Sequence, residues 1–142
     1  MSVLSKEDLA FWEENGYVVV REAVPQENLG AMVDVIWAFL EIDREQWYKY
    51  KPYTREDRCS PISAGGMVEI YQHQALWDNR QYPKVHQAFA EIWGDEKLWV
   101  SVDRANMKPP ARADRSEWCN EGMIHWDADT SKQPVPFGVQ GV

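Results

Sequence analysis

At 142 residues and 44% hydrophobic content, the chain has the length of one domain and enough apolar material for a core. Its net charge of −8 argues against a general nucleic-acid surface, because phosphate binding needs clustered Lys and Arg. No apolar run approaches the ~20 residues of a membrane span, and the amino terminus lacks the basic-then-apolar pattern of a secretion signal. Eight tryptophans are many for this length, and core and interface packing is their ordinary use. Cys59 and Cys119 read as free thiols of a reducing compartment, so the expected location is cytoplasmic.

Taken in order, Ser5-Lys-Glu-Asp8 is a capping-box pattern, with Leu4 and Leu9 placed as a hydrophobic staple. The short helix it starts should end near Asn15-Gly16, where glycine takes the left-handed cap conformation. Tyr17-Val-Val-Val-Arg21 reads as a strand by its β-branched run. Pro25 opens a second helix, and Leu29, Met32, Val33, Ile36, Trp37 and Leu40 follow at helical spacing as a core-facing stripe.

From Asp43 to Gly66 periodicity fails, and the segment reads as an exposed connector. Its Lys49, Lys51, Arg55 and Arg58 form a charged loop with the alternative of greeting an anionic substrate tail, since long loops are often lids. Met67 to Tyr71 is a short strand candidate. Pro83 opens a third helix with Val85, Phe89, Ile92 and Trp93 inward, closed by Gly94. His86 falls beside that stripe as a partly buried surface residue, and His73 precedes the helix.

Leu98 to Arg104 is the clearest strand by alternation, with Leu98, Val100 and Val102 on one face. Arg104, Asn106 and Lys108 continue that parity toward Pro109-Pro110. An apolar face turning polar in this way suits either a barrel mouth or a strand end reaching solvent. A polar connector from Ala111 to Glu121 leads into Met123-Ile-His-Trp-Asp-Ala-Asp-Thr, where His125 and Asp127 stand two apart. On a strand such residues share a face, so imidazole and carboxylate can close on one metal ion, with Trp126 packing on the other side. A strand-end histidine bonded to a turn aspartate is the plainer alternative. Pro134, Pro136 and Gly138 mark a loop, and Phe137 to Val142 then reads as another strand.

The run Ile124-His-Trp-Asp-Ala-Asp-Thr-Ser followed by Pro136-Phe-Gly-Val-Gln-Gly-Val142 resembles the phytanoyl-CoA dioxygenase family of iron- and 2-oxoglutarate-dependent oxygenases. Phe11 to Arg21, Gln74 to Arg80 and Leu98 to Pro110 resemble further blocks of that family, in its order. The resemblance implies an α+β fold: amino-terminal helices plus the first strands of a double-stranded β-helix, a jelly-roll or cupin-like barrel. It implies that residues 1–142 form one domain, the amino-terminal portion of such an enzyme.

The resemblance further implies Fe(II) held by His125 and Asp127 with a distal histidine, and 2-oxoglutarate as cosubstrate with contacts from the region of Asn106 and Lys108. The reaction it implies is hydroxylation of an aliphatic C–H of a small organic substrate by O2. Related halogenases carry a small residue where Asp127 stands, so the carboxylate favours hydroxylation. The family's distal histidine and the basic residue gripping 2-oxoglutarate lie beyond Val142, so the 142 residues alone are expected to be inactive. An apolar sheet edge at Phe137 to Val142 is expected to promote self-association. No nucleic-acid or membrane partner is expected. The competing readings are a non-catalytic small-molecule-binding or interaction module of the same fold, and a hydrolytic metal site on the same two ligands that nothing else supports.

Overall fold

The computed structural model describes residues 2–47, 57–60, 65–119, 122, 124–134 and 137–142. Among the described residues, four α-helices and a small two-stranded antiparallel sheet make it α+β. The first helix, α1 (Lys6–Asn15), begins in a true capping box: Ser5 Oγ accepts from the Asp8 N–H at 3.0 Å, and Asp8 returns the favour to the Ser5 N–H at 2.9 Å. Gly16 ends it at φ +74°, its N–H donating to the Trp12 carbonyl. The chain ahead of α1 is held from elsewhere, because the Glu91 carboxylate accepts from the N–H groups of Val3 and Leu4.

Pro25 caps α2 (Gln26–Leu40). Of its apolar stripe, Ile36 and Leu40 are buried, and with Ile42, Cys59, Val68 and Trp118 they form the main core cluster. Against them pack Met32, Trp37, Phe39, Trp47, Ile70, Ala105 and Met107. Two short strands complete this core: β1 (Met67–Val68) pairs antiparallel with β2 (Ala105–Asn106), setting Met67 opposite Asn106 and Val68 opposite Ala105. Cys59 bridges Val68 on the other side of β1, so the fully buried Val68 has backbone on both flanks. A 3-10 turn (Ser116–Trp118) drops Trp118 into the same cluster.

Helix α3 (Gln74–Arg80) lies against α2, where the Asn28 amide donates to the Asp78 carbonyl and the Asn79 amide donates to the Asn28 carbonyl. Helix α4 (Pro83–Trp93) starts with proline in its first turn and closes at Gly94. Its fully buried positions are Ala88 and Ala90, whereas Trp93, expected inward, is exposed enough to reach the carboxy-terminal segment. No helix of the described residues is long and apolar enough to cross a membrane. Cys59 and Cys119 are free thiols, the first in the core, where burial pushes its pKa up, and the second exposed.

The strand expectations need correction. No strand passes through Val100: among the described residues pairing begins only at Ala105. The reason lies across the sheet. After Val68 the Ile70 N–H turns back onto the Val68 carbonyl, so β1 ends and residues 98–104 have nothing opposite them to pair with. Trp99 is fully exposed in consequence. Tyr17 to Val20 is likewise unpaired, its tyrosine ring set edge-on against Phe11. Neither 124–126 nor 137–142 is a strand, and Trp126, expected to pack, is 78% exposed. Helix α3, which the sequence reading did not expect, lacks a visible apolar stripe because seven residues make only two turns.

Candidate functional site

The site is built at a bend. Beyond Asp127 the chain turns around Asp129, whose carboxylate accepts from the Ser131 hydroxyl at 2.6 Å and the Ser131 N–H at 3.1 Å. This is an Asx-type turn, in which a short acidic side chain replaces a backbone acceptor. These bonds hold the Asp129 carboxyl below the usual carboxylate range, the hydroxyl contributing most. The returning segment 137–141 is seated on α4: the Phe137 ring stands edge-on to Trp93 at 4.8 Å between centroids. Gly141 lies against Phe89 so closely that a Cβ there would meet the ring at 3.0 Å.

That return sets Gln140 beside Asp127. Gln140 Nε2 donates to Asp127 Oδ2 at 2.6 Å, while Asp127 Oδ1 lies 3.0 Å from His125 Nε2. The two oxygens of one carboxylate are thus divided between an amide that orients it and an imidazole beside it. His125 and Asp127 are each about half exposed, so the pair faces solvent on one side. As it stands this is a close His–Asp pair.

Its geometry also suits an ion. Two ligands about 2.1 Å from one metal and at right angles to each other have donor atoms about 3.0 Å apart. Imidazole nitrogen and carboxylate oxygen are donor types that metal ions take, and a bond such as that from Gln140 orients a carboxylate in the way outer-shell groups do. In this limited sense the residues fit a metal. Among the described residues no group of three or more His, Cys, Asp and Glu side chains gathers at one point. His73 spends its Nδ1 capping α3 at the Ala75 N–H, and His86 Nε2 lies 3.0 Å from the Glu96 carbonyl.

The other two candidates sit on β2 and just beyond it. Asn106 donates its amide to the Gly65 carbonyl at 2.8 Å and contacts the Met67 sulfur at 3.2 Å, so it ties β2 to the start of β1. Lys108 lines a groove of about 270 Å³ with Trp37, Trp47, Met107, Pro109 and Pro110. No described contact joins either residue to the His125–Asp127 pair. Between β1 and β2 runs a charged network. Arg104 pairs with Glu69 at 3.0 Å, Tyr71 donates to the other Glu69 oxygen at 2.6 Å, and Arg80 binds the carbonyls of Tyr71 and Asp103. The Tyr71 hydroxyl first, then Arg104, holds the Glu69 carboxyl below its usual range.

Of the connector cations, Lys49, Lys51 and Arg55 lie outside the described residues. Arg58 is committed to structure, donating to the Phe39 carbonyl at 2.6 Å and pairing with Glu41 at 2.9 Å. Gln140 is the residue that sequence reasoning missed. Its one signal is a long amide in the otherwise apolar or small run Phe137-Gly-Val-Gln-Gly-Val142.

No family model matches the chain, and no solved structure matches it. A protein of Dictyostelium discoideum named "Putative phytanoyl-CoA dioxygenase" is 26% identical over 124 residues. The match covers 82% of this chain and 35% of that protein, so the chain spans about a third of the length of the relative it matches.

Proposed function

We propose that the chain is part of a non-haem Fe(II)- and 2-oxoglutarate-dependent dioxygenase that hydroxylates an aliphatic C–H of a small organic substrate. The fold in this reading is the helical front and first strands of a double-stranded β-helix barrel. The observation that carries it is the 3.0 Å separation of His125 Nε2 and Asp127 Oδ1 at a bend held by Gln140. The similarity to the Dictyostelium protein supports the same reading.

Within it, His125 and Asp127 supply two of the metal's protein ligands. Bound Fe(II), with 2-oxoglutarate and O2, supplies oxidative decarboxylation coupled to hydroxylation. The chain's own part is positional. Gln140 holds the Asp127 carboxylate by its far oxygen, which leaves the near one turned toward the imidazole. The Asp129 turn and the seating of Phe137 and Gly141 on α4 keep Gln140 in place. Of the two expected cosubstrate contacts, Asn106 has its amide bound to the Gly65 carbonyl and takes no part in this reading.

The test is anaerobic titration of the purified chain with Fe(II), in wild type and in the His125→Ala and Asp127→Ala variants. 2-Oxoglutarate and then air are admitted, and succinate is measured. The expected result is one Fe(II) taken up by the wild type and lost in both variants, with any succinate vanishing alongside. Uptake undiminished in both variants would place the metal elsewhere and refute the reading.

A further inference from the structure

The groove at Lys108 has a composition that the cosubstrate does not explain. Two indoles, two prolines and Met107 wall it, and Lys108 is the one charged side chain among its described lining residues. The wall is preformed. Trp47 stacks on the buried Trp118 at 5.4 Å with 31° between planes, and Trp37 and Met107 pack on the core cluster. Pro109 and Pro110 restrict the backbone of the third side. Lys108 makes no hydrogen bond or ion pair with any described residue, whereas its neighbour Arg104 is fully engaged with Glu69 and Asp103.

An open groove whose described walls are apolar apart from one uncommitted cation selects a ligand of matching design. Its body must be apolar, to gain from leaving water without stranding polar groups, and it must carry one negative charge. A small dicarboxylate meets only half of this. With one carboxylate on Lys108, its other end would lie against indole and proline with no second cation among the described lining residues, and an unpaired charge against apolar surface is costly. Because the walls are held by the core, little ordering entropy is spent on closing them over a ligand.

We propose that this groove binds a small carboxylate with a flat, ring-based apolar body, the rings between Trp37 and Trp47 and the carboxylate on the Lys108 ammonium. This deepens the oxygenase reading by naming a substrate class. It rests on that reading for the fate of the bound molecule, though not for its binding.

Calorimetric titration of the 142-residue chain with 2-naphthoate, its neutral isostere 2-naphthamide and 2-oxoglutarate tests it. The wild type should bind one naphthoate saturably and at least tenfold more tightly than naphthamide. Lys108→Met, an exposed change checked for native circular dichroism, should erase that difference while leaving naphthamide binding in place. Three results would overturn the proposal: no saturable naphthoate binding, naphthoate binding unchanged in Lys108→Met, or tighter binding of 2-oxoglutarate than of naphthoate, which would assign Lys108 to the cosubstrate. The metal titration reads His125 and Asp127 and not Lys108, so failure of one reading leaves the other measurable.

Discussion

Gly66→Ala should be among the most damaging single changes in the chain, and the structure says by how much. Gly66 sits at φ +62°, just before β1, and a Cβ built on it would lie 2.4 Å from the carbonyl oxygen of Met107. The left-handed conformation alone costs an L-residue roughly 1–2 kcal/mol. The clash cannot be relieved locally, because the Met107 N–H donates to the Gly66 carbonyl at 2.8 Å and ties the two backbones together. Moving them apart by about 1 Å forfeits that bond, worth about 1 kcal/mol, and disturbs Met107 where it packs on the core. These two terms sum to about 2–3 kcal/mol, before any disturbance of Met107 is added.

Gly16→Ala is the internal control. Gly16 has φ +74° with nothing within 4 Å of the added carbon, so it loses only the conformational part, roughly 1–2 kcal/mol. Urea denaturation of both variants against wild type, with unchanged m-values, measures the difference. Equal losses in the two would refute the close-approach argument, and with it the placement of the Lys108 segment against β1.

Gln140→Ala should weaken metal binding roughly tenfold, as loss of an outer-shell bond to a ligating carboxylate does, while leaving the melting temperature almost unchanged. Metal titration of a folded variant with wild-type affinity would remove Gln140 from the site. Burial alone would raise the Glu91 carboxyl, but the N–H groups of Leu4 and Val3 outweigh it and hold the pKa below its usual value. A depressed folded value means stability that is complete above the unfolded pKa of about 4.3 and lost as pH falls through the folded one. Glu91→Gln should therefore flatten the acid limb of the stability curve below that pH, and an unchanged limb would count against the tether. The unpaired apolar run at Trp99, Val100 and Val102 should make the chain associate at high concentration. Sedimentation velocity should show this, with Val100→Lys reducing it; a concentration-independent monomer would contradict the expectation.

What the sequence made legible was local. The capping box at Ser5, the glycine stops at Gly16 and Gly94, and the α2 stripe ending at Leu40 all depend on residues within a few positions of each other. Strands depend on a partner, and there the reading failed. Leu98 to Val102 has good alternation, but β1 turns away at Ile70, and alternation without a partner makes an extended segment and no ladder. The same logic runs through the site. Shared parity on a strand singles out His125 and Asp127, yet they meet at a bend, where the chain's turn brings the side chains together. Gln140 could not be found this way, because its contact spans 13 residues and exists only once the Asp129 turn has closed and Phe137 has found Trp93.

Whether His125 and Asp127 hold a metal ion together is read most directly by pulsed electron paramagnetic resonance of the chain with one equivalent of Mn(II) as a stand-in for Fe(II). Nitrogen modulation from a single imidazole is expected, lost in His125→Ala and retained in His73→Ala and His86→Ala. Modulation that survives His125→Ala, or bound Mn(II) in the wild type with no nitrogen coupling at all, would contradict it.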